Sequence, residues 1–347
     1  HLTITYNGEV YNYLKIKSQL QNSGYSFKGN SDTEVILKAF DYWGIACVDR
    51  FIGMFAFSVY DSKKNKIYLF RDRSGVKPLY YSFSEKGFLF ASEQKAILQL
   101  IKCSINFQSL SDYLHRGYIN NLNTFYNEIC ELNQGSFLIF DVNKHKILIN
   151  SYWSSEEIYK SKKKSTTLKY DTLKYDLKSL LKDSFNYRML SDVPVGVFLS
   201  SGFDSTLVAA LLSQDQEINT FTIGFEEKKY DESKKAKKIA KHLKTNHTEI
   251  ICSSNEIEDF VSKLPSIYDE PFGDTSCLPT LLVNKHASKY VKVVLSADGG
   301  DEQFGGYSHY ELTESIFNYY NLYKKLGFLK YIRKPVISIL KILNNYE

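Results

Sequence analysis

The chain lacks the features of membrane, fibrous and disordered proteins. Only 18 of its 347 residues are Gly and 6 are Pro, whereas 15% are aromatic, and this composition excludes collagen-like and intrinsically disordered chains. No uncharged apolar run approaches the roughly 18 residues of a membrane-spanning helix. The best candidate, Val193–Leu199, is a short buried strand at most. No signal peptide opens the sequence, so we expect a globular protein that does not enter a membrane.

Arginine and paired cysteines are also scarce. Only six of the 44 basic residues are Arg, so the net charge of +5 comes mainly from scattered Lys. Because Arg makes most specific base contacts, this charge does not indicate nucleic-acid binding. The five cysteines are an odd number without a C-x-x-C pair. This pattern favours reduced thiols in the cytoplasm.

The N-terminal part of the chain has the pattern of antiparallel strands accompanied by helices. A strand-like segment, Leu2–Tyr6, precedes a helical pattern that ends near Gly24, and Ser31 and Glu34 have capping-box spacing ahead of a second helix. Short apolar segments separated by turns then predict further strands. These are Met54–Tyr60, Ile67–Phe70, Leu79–Phe83, Phe88–Ala91, Phe137–Phe140 and Ile147–Ile149.

After Trp153 the pattern changes to strands that alternate with helices. A segment rich in Lys, Ser and Thr, 155–172, predicts a linker, and a helix follows at Tyr175–Met189. Alternation of this kind is typical of a doubly wound parallel sheet. Its predicted strands are Val195–Leu199, Thr220–Phe225, His247–Ile251 and Val291–Ser296. We therefore expect two domains, 1–154 and 173–347.

The segment from Val197 to Thr206 carries the clearest chemical signal. An apolar strand ends at a loop of small residues that opens a helix, and open parallel sheets bind ligands at such carboxyl ends. The helix N-terminus offers N–H groups to phosphate, and Ser200 and Ser205 would add hydroxyl donors. Asp204 has the wrong charge for phosphate, so it would act through a bridging divalent cation. A plain strand-to-helix turn with an N-capping Ser or Asp fits the same spacing.

Several segments together resemble one family. The loop Ser200–Ser205 is similar to the S-G-G-x-D-S pyrophosphate-binding loop of N-type ATP pyrophosphatases, and its flank from Ser191 fits as well. Six further segments of the chain are similar to motifs of the same family and occur in the family's order. They are Asn7–Asn12, Ser31–Glu34, Arg71–Tyr81, Thr220–Phe225, Asp269–Phe272 and Leu295–Tyr307. Over nearly the whole chain, this set resembles the asparagine synthetase (glutamine-hydrolysing) family.

The resemblance implies both fold and function. The fold would be α+β followed by α/β: a partial N-terminal-nucleophile glutaminase sandwich of antiparallel sheets, then a doubly wound ATP pyrophosphatase domain. The first domain would release ammonia from glutamine. The second would use ATP and Mg²⁺ to activate aspartate as an acyl adenylate, which ammonia converts to asparagine, AMP and pyrophosphate. The partners would be these small molecules, with a homodimer left open.

The resemblance also implies that part of the catalytic machinery lies outside this chain. The nucleophile of the family is a cysteine at the mature N-terminus, whose own amine serves as base. We expect the chain to be truncated at both ends and inactive as a glutaminase. Cys47 lies in an apolar, helix-like stretch, so we expect it in the core and not at a site.

Site residues are carried over by position. Asn7, Gly8, Glu9 and Asp32 would hold glutamine, with an Asn7–Gly8 turn that offers amides to an oxyanion. Asp32 suits an α-ammonium group, although an acid is also favoured in the first turn of a helix.

In the second domain, the resemblance implies a nucleotide site, a metal site and a catalytic acid. Asp298 takes the place of an acid linked to acyl-adenylate formation, Asp204 and Asp301 would bind Mg²⁺, and the acceptor pocket would involve Asp269–Thr280. The ATP contacts would be Leu199, Ser200, Ser201, Gly202, Asp204, Ser205, Ile223, Ser296 and Ala297.

Two residues depart from the family pattern. Ser201 and Ala297 each stand where the family has glycine. In left-handed backbone Ser201 would cost about 1–2 kcal/mol; otherwise it would add a phosphate donor. These departures keep open a nucleotide-binding homologue that has lost catalysis. A paralogous amidotransferase that acts on another carboxylate, such as a sugar acid, or that closes a lactam ring is the other alternative.

Overall fold

The structure, a computed structural model, describes residues 1–85, 87–119, 123–161, 169–225, 232–252 and 254–326. These ranges contain an antiparallel sheet of five strands, an antiparallel sheet of three and a parallel sheet of four. The antiparallel sheets precede the parallel sheet along the chain, which confirms the predicted fold class. Within the same ranges, no helix combines the length and the apolar character needed to cross a membrane.

Two antiparallel sheets pack face to face in the first half of the chain. The larger sheet consists of β1 (Leu2–Val10), β2 (Gly53–Asp61), β3 (Lys66–Arg71), β7 (Ser136–Asp141) and β8 (Lys146–Ser151), in the order β1-β2-β3-β7-β8. The smaller sheet consists of β4 (Tyr80–Ser84), β5 (Gly87–Ala91) and β6 (Cys130–Glu131), in the order β5-β4-β6. Alternate residues of β7 are buried, and Leu138 and Phe140 meet Tyr81 of β4 in the core between the sheets.

Helices cover the other face of the larger sheet. The helical elements of this half are α1 (Tyr13–Asn22), α2 (Asp32–Trp43), a 3₁₀ helix (Gly44–Arg50), α3 (Gln94–Leu98) and α4 (Phe107–Arg116). Ile16 and Leu20 of α1 and Val35 and Ile36 of α2 pack into one core with the sheet. Cys47 is 0% exposed in this core, which confirms its predicted structural role, and burial raises the pKa of its thiol.

Two local predictions for this half were wrong. Ser31 does cap α2 by accepting a hydrogen bond from the Thr33 N–H, but Glu34 accepts from the N–H groups of Lys28 and Gly29 and does not complete a capping box. Asn7 and Gly8 form no turn: strand β1 continues through them to Val10 and pairs them with Ala56 and Phe55 of β2. Cross-strand pairing therefore extends the predicted strand by four residues.

The loop after β3 is organised by a buried acid. Asp72 is 1% exposed, and its carboxylate accepts hydrogen bonds from the backbone N–H groups of Phe55, Ser74, Val76 and Lys77. An ionised carboxylate can be buried only when such donors replace its water. Asp72 therefore fixes the loop against strand β2.

The second half of the chain is a parallel sheet with helices on both faces. Its strands are β9 (Val195–Phe198), β10 (Asn219–Phe225), β11 (Asn246–Cys252) and β12 (Val293–Leu295), in the order β11-β10-β9-β12. All neighbouring pairs are parallel. The helices are α7 (Phe203–Leu212), α8 (Ser233–Leu243), α9 (Ser254–Val261), α10 (Leu264–Ile267), α11 (Cys277–Ala287), α12 (Gly300–Phe304) and α13 (Ser308–Leu326).

The two faces of this sheet have separate cores. Val208 of α7 and Ala236 of α8 pack with Val197 on one face. Leu282 of α11 packs with Phe221 on the other face. This arrangement confirms the doubly wound prediction and places the ends of β9, β10 and β12 side by side.

Along the chain, two helices lie between the last antiparallel strand, β8, and the first parallel strand, β9. Helix α5 (Ser155–Ser161) occupies the first residues of the predicted linker, 155–172. Helix α6 (Tyr170–Met189) begins before the end of that predicted linker. Residues 162–168 of the predicted linker and residues 327–347 of the predicted second domain lie outside the described residues.

We predict that Asp72→Asn destabilises the first half of the chain by about 3 kcal/mol or more. The amide would place a donor against N–H groups that now donate to a carboxylate, and each bond to a charged group contributes about 1.5–3 kcal/mol. Urea unfolding followed by the fluorescence of Trp43 and Trp153, the two Trp residues of the chain, measures the change. The exposed Asp49 supplies the control: Asp49→Asn should alter stability by about 0.5 kcal/mol or less. Equal effects of the two substitutions would contradict the assigned role.

Candidate functional site

The loop after β9 is held by a closed set of hydroxyl contacts. The Ser200 N–H donates to Ser205 Oγ at 3.1 Å, the two hydroxyls lie 2.8 Å apart, and the Gly202 N–H donates to Ser200 Oγ at 3.1 Å. Gly202 is the N-cap of α7, and no side chain caps that helix. The loop therefore presents the uncapped N-terminus of α7, whose N–H groups and dipole favour an anion.

Ser201 is accommodated without backbone strain. Among the described non-glycine residues, positive φ occurs at Asn65, His145 and Lys244, and neither Ser201 nor Ala297 has it. The left-handed geometry considered for Ser201 is therefore wrong. Its hydroxyl donates to Glu232 Oε2 at 2.7 Å, and its N–H lies 3.3 Å from the same oxygen. The carboxylate of Glu232 thus accepts from both donors that Ser201 offers in the loop.

Two acids from the first turns of different helices meet at the end of the parallel sheet. Strand β12 pairs with β9, so the start of α12, which carries Asp301, lies beside the start of α7, which carries Asp204. A Cβ atom at Gly300 would lie 2.7 Å from Asp204 Oδ2, and one at Gly306 would lie 1.8 Å from Asp301 Oδ1. Only glycine permits such close approach, so both acids depend on a glycine of the second loop for their position.

The surroundings of Asp301 change its ionisation. Partial desolvation, followed by the charge of Asp204 and then that of Glu302, raises the pKa of Asp301. A raised carboxyl pKa means that Asp301 is fully ionised only at a higher pH than an ordinary aspartate. A divalent cation between the two would relieve the repulsion, and its binding should strengthen as pH rises through that range.

The donor set fits Mg²⁺ that also binds phosphate. No three His, Cys, Asp or Glu side chains of the described residues form a potential metal site. Mg²⁺ is usually held by one or two carboxylates together with substrate phosphates and water. Asp204 and Asp301 would supply the two carboxylates beside the anion-binding end of α7.

Asp298 and Ser296 lie in the same second loop. The Ser296 hydroxyl donates to Asp298 Oδ2 at 2.8 Å, and both side chains are exposed. The Gly300 N–H donates to the Ala297 carbonyl at 3.1 Å and closes the turn before α12. The loop therefore brings Ser296, Ala297 and Asp298 to the same end of the sheet as Asp301.

An apolar pocket opens beside these loops. It has a volume of about 260 Å³. Its walls include Leu199, just after β9, Phe221 and Ile223 of β10, and Pro279 and Val283 of α11. Glu232 lies at its polar side. Apolar walls with few polar groups are the usual lining of a small-molecule site. Leu199 and Ile223, two of the predicted ATP contacts, both line this pocket.

The predicted glutamine-binding residues surround the end of β1. Asp32 Oδ2 accepts from the Tyr6 hydroxyl at 2.6 Å and from the Val10 N–H at 3.0 Å. Burial, followed by the hydrogen bond to Asp32, raises the pKa of Tyr6, so its hydroxyl remains the donor. The Asn7 amide donates to Ser92 Oγ at 3.2 Å. Tyr6 thus holds a carboxylate suited to an ammonium group.

Glu9 carries the electrostatic link from this site to the second half of the chain. Desolvation, followed by the charges of Asp32 and Asp192, raises the pKa of Glu9, whereas Lys77 lowers it. The guanidinium of Arg188 lies 5.5 Å from the centre of the Tyr11 ring. Arg188 and Asp192, just before β9, therefore lie near the predicted glutamine-binding residue Glu9 and its neighbour Tyr11.

The structure shows what the first two acids of the predicted acceptor stretch contact. Asp269 Oδ2 accepts from the Gln94 N–H, and Glu270 Oε1 accepts from the Gln94 side-chain amide and from the Phe125 N–H. These bonds join both carboxylates to donors in the first half of the chain. That the stretch Asp269–Thr280 forms an acceptor pocket stays a prediction.

The sequence did not predict several residues that contact the candidate sites. Tyr6, Glu232 and Ser92 form hydrogen bonds with predicted site residues that are distant in the sequence. Gly300 and Gly306 have no Cβ atom, so Asp204 and Asp301 can approach them closely. Strand alternation places Tyr6 on the same face as Gly8 and Val10, which is the one signal that pointed to it. No pattern in the sequence joins Glu232 to Ser201.

Comparison with known proteins agrees with this architecture. Residues 1–153 match the model of the family described as Glutamine amidotransferase domain, and residues 176–334 match that of the family described as Asparagine synthase. The chain is thus of the class that joins an amidotransferase domain to a synthase domain. It belongs to the glutamine-hydrolysing asparagine synthetase family.

Individual relatives show the extent of the match. A Methanocaldococcus jannaschii protein, provisionally named asparagine synthetase (glutamine-hydrolyzing) 2, is 41% identical over 88% of this chain and 59% of its own length. Asparagine synthetase (glutamine-hydrolyzing) 1 of Bacillus subtilis is 31% identical over 90% of this chain and 49% of its own length. The chain therefore spans about half the length of these curated relatives.

We predict that Gly300→Ala and Gly306→Ala each weaken Mn²⁺ binding by about tenfold or more, the scale of a loss of support for metal ligands. In each variant the new methyl group displaces Asp204 or Asp301. Electron paramagnetic resonance of free Mn²⁺ measures the affinity. Gly29→Ala is the matched control, because its Cβ would lie 3.6 Å from the nearest atom. Unchanged affinity in both site variants would contradict the assigned role of the glycines.

Proposed function

We propose that this chain is the glutamine- and ATP-binding part of a glutamine-dependent asparagine synthetase. The first half would hold glutamine, from which ammonia is released. The second half would activate the side-chain carboxylate of aspartate with ATP, and ammonia would then form the amide. The products would be asparagine, AMP and pyrophosphate.

One observation carries the proposal. Asp204 and Asp301 meet near the ends of β9 and β12, and the segment that leads from β9 to the uncapped N-terminus of α7 lines the apolar pocket with Leu199 and Ser200. A base in the pocket, phosphates at the helix and a cation on the acids would fit one nucleoside triphosphate. Family membership supports the same ligand.

The reaction follows from this placement. A carboxylate oxygen of the acceptor attacks the α-phosphorus of ATP, and the bond to the pyrophosphate oxygen breaks. Mg²⁺ on Asp204 and Asp301 would neutralise charge on the departing pyrophosphate. Ammonia then attacks the acyl carbon, loses a proton, and AMP leaves with the former carboxylate oxygen.

Other residues would orient the reactants. The Ser200 and Ser205 hydroxyls, now bonded to each other, would turn to phosphate oxygens. Gly202 permits close approach of the loop backbone, and Ser201 would hold Glu232 beside the pocket. Asp298, supported by Ser296, would act on the acceptor during adenylation, while Ala297 would contact the nucleotide.

At the other site, Asp32 would bind the α-ammonium group of glutamine. Asn7, Gly8 and Glu9 would contact the rest of the molecule. We assign the nucleophilic attack to none of the five cysteines of this chain. No disulfide joins these cysteines, and reduced thiols support a cytoplasmic enzyme. A homodimer stays a prediction.

A second candidate is amidation of a carboxylate other than aspartate. It is motivated by the hydrogen bonds of Asp269 and Glu270 to the first half of the chain, because these bonds would leave the two carboxylates less available to an acceptor. The remaining residues of the stretch, Pro271–Thr280, would then determine the acceptor.

Pyrophosphate release by the protein in its natural full length tests the proposal. With ATP, Mg²⁺ and ammonium, we expect release to depend on aspartate and to yield asparagine and AMP. Release with a sugar acid or another carboxylate of a panel would support the second candidate. No release with any carboxylate would contradict both and favour a nucleotide-binding homologue without catalysis.

We further predict that Ser201→Gly changes this release by about twofold or less. Ser201 has no positive φ for glycine to relieve, and the lost bond to Glu232 lies at the surface, where such bonds contribute little. Initial rates at saturating ATP measure the effect. A gain of about tenfold or more would show that Ser201 obstructs the loop.

A further inference from the structure

We infer that Glu270 and Gln94 form a latch through which the first half of the chain positions one wall of the nucleotide pocket. The latch consists of Gln94, the Phe125 N–H, Asp269 and Glu270. The inference rests on the proposed function only for the identity of the ligand. It makes Glu270 a positioning residue, distant from the reacting atoms.

The contacts of the latch are short and reach two adjacent carboxylates. Glu270 Oε1 accepts from Gln94 Nε2 at 2.6 Å and from the Phe125 N–H at 2.7 Å. The Gln94 N–H donates to Asp269 Oδ2 at 2.5 Å. Gln94 is 0% exposed, so these bonds form where water does not compete.

The latch is the centre of a longer seam. On one side, the Lys95 ammonium donates to the Ser266 carbonyl at 3.0 Å and lies 3.5 Å from Asp269 Oδ1. On the other side, the Gly273 N–H donates to the Gly117 carbonyl at 2.9 Å. A Cβ atom at Gly273 would lie 2.8 Å from that carbonyl oxygen, so the two backbones touch.

Partial burial of Glu270 makes the latch dependent on correct contact between the halves. Desolvation raises the pKa of Glu270, hydrogen bonds from Gln94 and Phe125 lower it, and the charges of Glu131 and Asp269 raise it again. A buried carboxylate that loses its donors is strongly destabilising. Loosening of the seam would therefore displace Glu270 toward water.

The segment that carries Glu270 leads directly to the nucleotide pocket. It passes through Asp274, whose carboxylate accepts from the Ser276 N–H at 2.7 Å, and enters helix α11 at Cys277. Pro279, Thr280 and Val283 of α11 form a wall of the pocket. A shift of Glu270 would therefore be transmitted to this wall by a short, hydrogen-bonded connection.

The opposite end of the latch reaches the framework of the first half. A side-chain hydrogen bond joins Gln94 to Tyr80. Glu131, which pairs with Tyr80 across strands β4 and β6, forms an ion pair of 2.8 Å with Arg71. Arg71 adjoins Asp72, which organises the loop after β3. Packed contacts thus continue from that loop to the nucleotide pocket.

Hydrogen exchange of the full-length protein, followed by mass spectrometry, tests the inference without any assumption about the reaction. In Glu270→Gln, we expect exchange to become about tenfold faster or more in peptides that contain Phe125, Gly273 and residues 277–283, because a buried bond to a charged group is lost. Glu258→Gln is the matched control: it removes the same charge from an exposed position on α9 and should change none of these peptides.

A reciprocal pair sharpens the test. In Gln94→Glu/Glu270→Gln, the amide at 270 can accept from the Phe125 N–H and donate to the new carboxylate, so we expect most of the protection to return. Gly273→Ala disturbs the same seam by contact with Gly117 and should give the same exchange pattern. If Glu270→Gln proves to be unfolded throughout, the exchange pattern of Gly273→Ala tests the latch instead.

Faster exchange at Phe125 with unchanged exchange at 277–283, in Glu270→Gln or Gly273→Ala, would overturn the inference. Failure of the reciprocal pair to restore protection would do the same. Calorimetry with ATP and Mg²⁺ then distinguishes a failure of the proposed function from a failure of the latch. If the unsubstituted protein does not bind ATP, the proposed function fails, while the exchange pattern still tests the latch.

Discussion

The pairing of β12 with β9 is the constraint on which the candidate site depends. Neighbouring parallel strands end at the same edge of the sheet, so the loops that follow them must share space. Here that space brings Asp204 against Gly300 and Asp301 against Gly306. Desolvation, followed by the charge of Asp204, raises the pKa of Asp301, so the arrangement disfavours two ionised carboxylates. A cation bound to phosphate would convert this unfavourable arrangement into a ligand site.

Two other acids organise the rest of the molecule. The buried Asp72 fixes the loop after β3 with four backbone bonds, and the partly buried Glu270 fixes the seam between the halves with two bonds. In each case the protein supplies donors to a carboxylate that is costly to remove from water. Such groups tolerate little displacement, which explains how separate sheets come to hold a common geometry.

Sequence patterns were sufficient for the features set by local periodicity. Strand alternation and the β–α repeat predicted both kinds of sheet, and the small-residue loop after β9 predicted the position of Ser200, Gly202 and Asp204. Features set by distant contacts were not predictable. The Asn7–Gly8 segment became a strand through pairing with β2. The hydroxyl of Ser201 donates to Glu232, and the carboxylate of Glu270 accepts from Gln94 and Phe125, although no sequence pattern joins these residues.

The central claim, that Asp204 and Asp301 act together through one cation, is tested most directly by calorimetric binding of pyrophosphate with and without Mg²⁺. In the unsubstituted protein we expect Mg²⁺ to raise the affinity by about a hundredfold, as expected of several kcal/mol of charge stabilisation. Asp204→Asn, Asp301→Asn and the double variant should each lose this effect to the same extent, because either acid alone is insufficient. Additive losses, or a Mg²⁺ effect retained in either single variant, would contradict the claim.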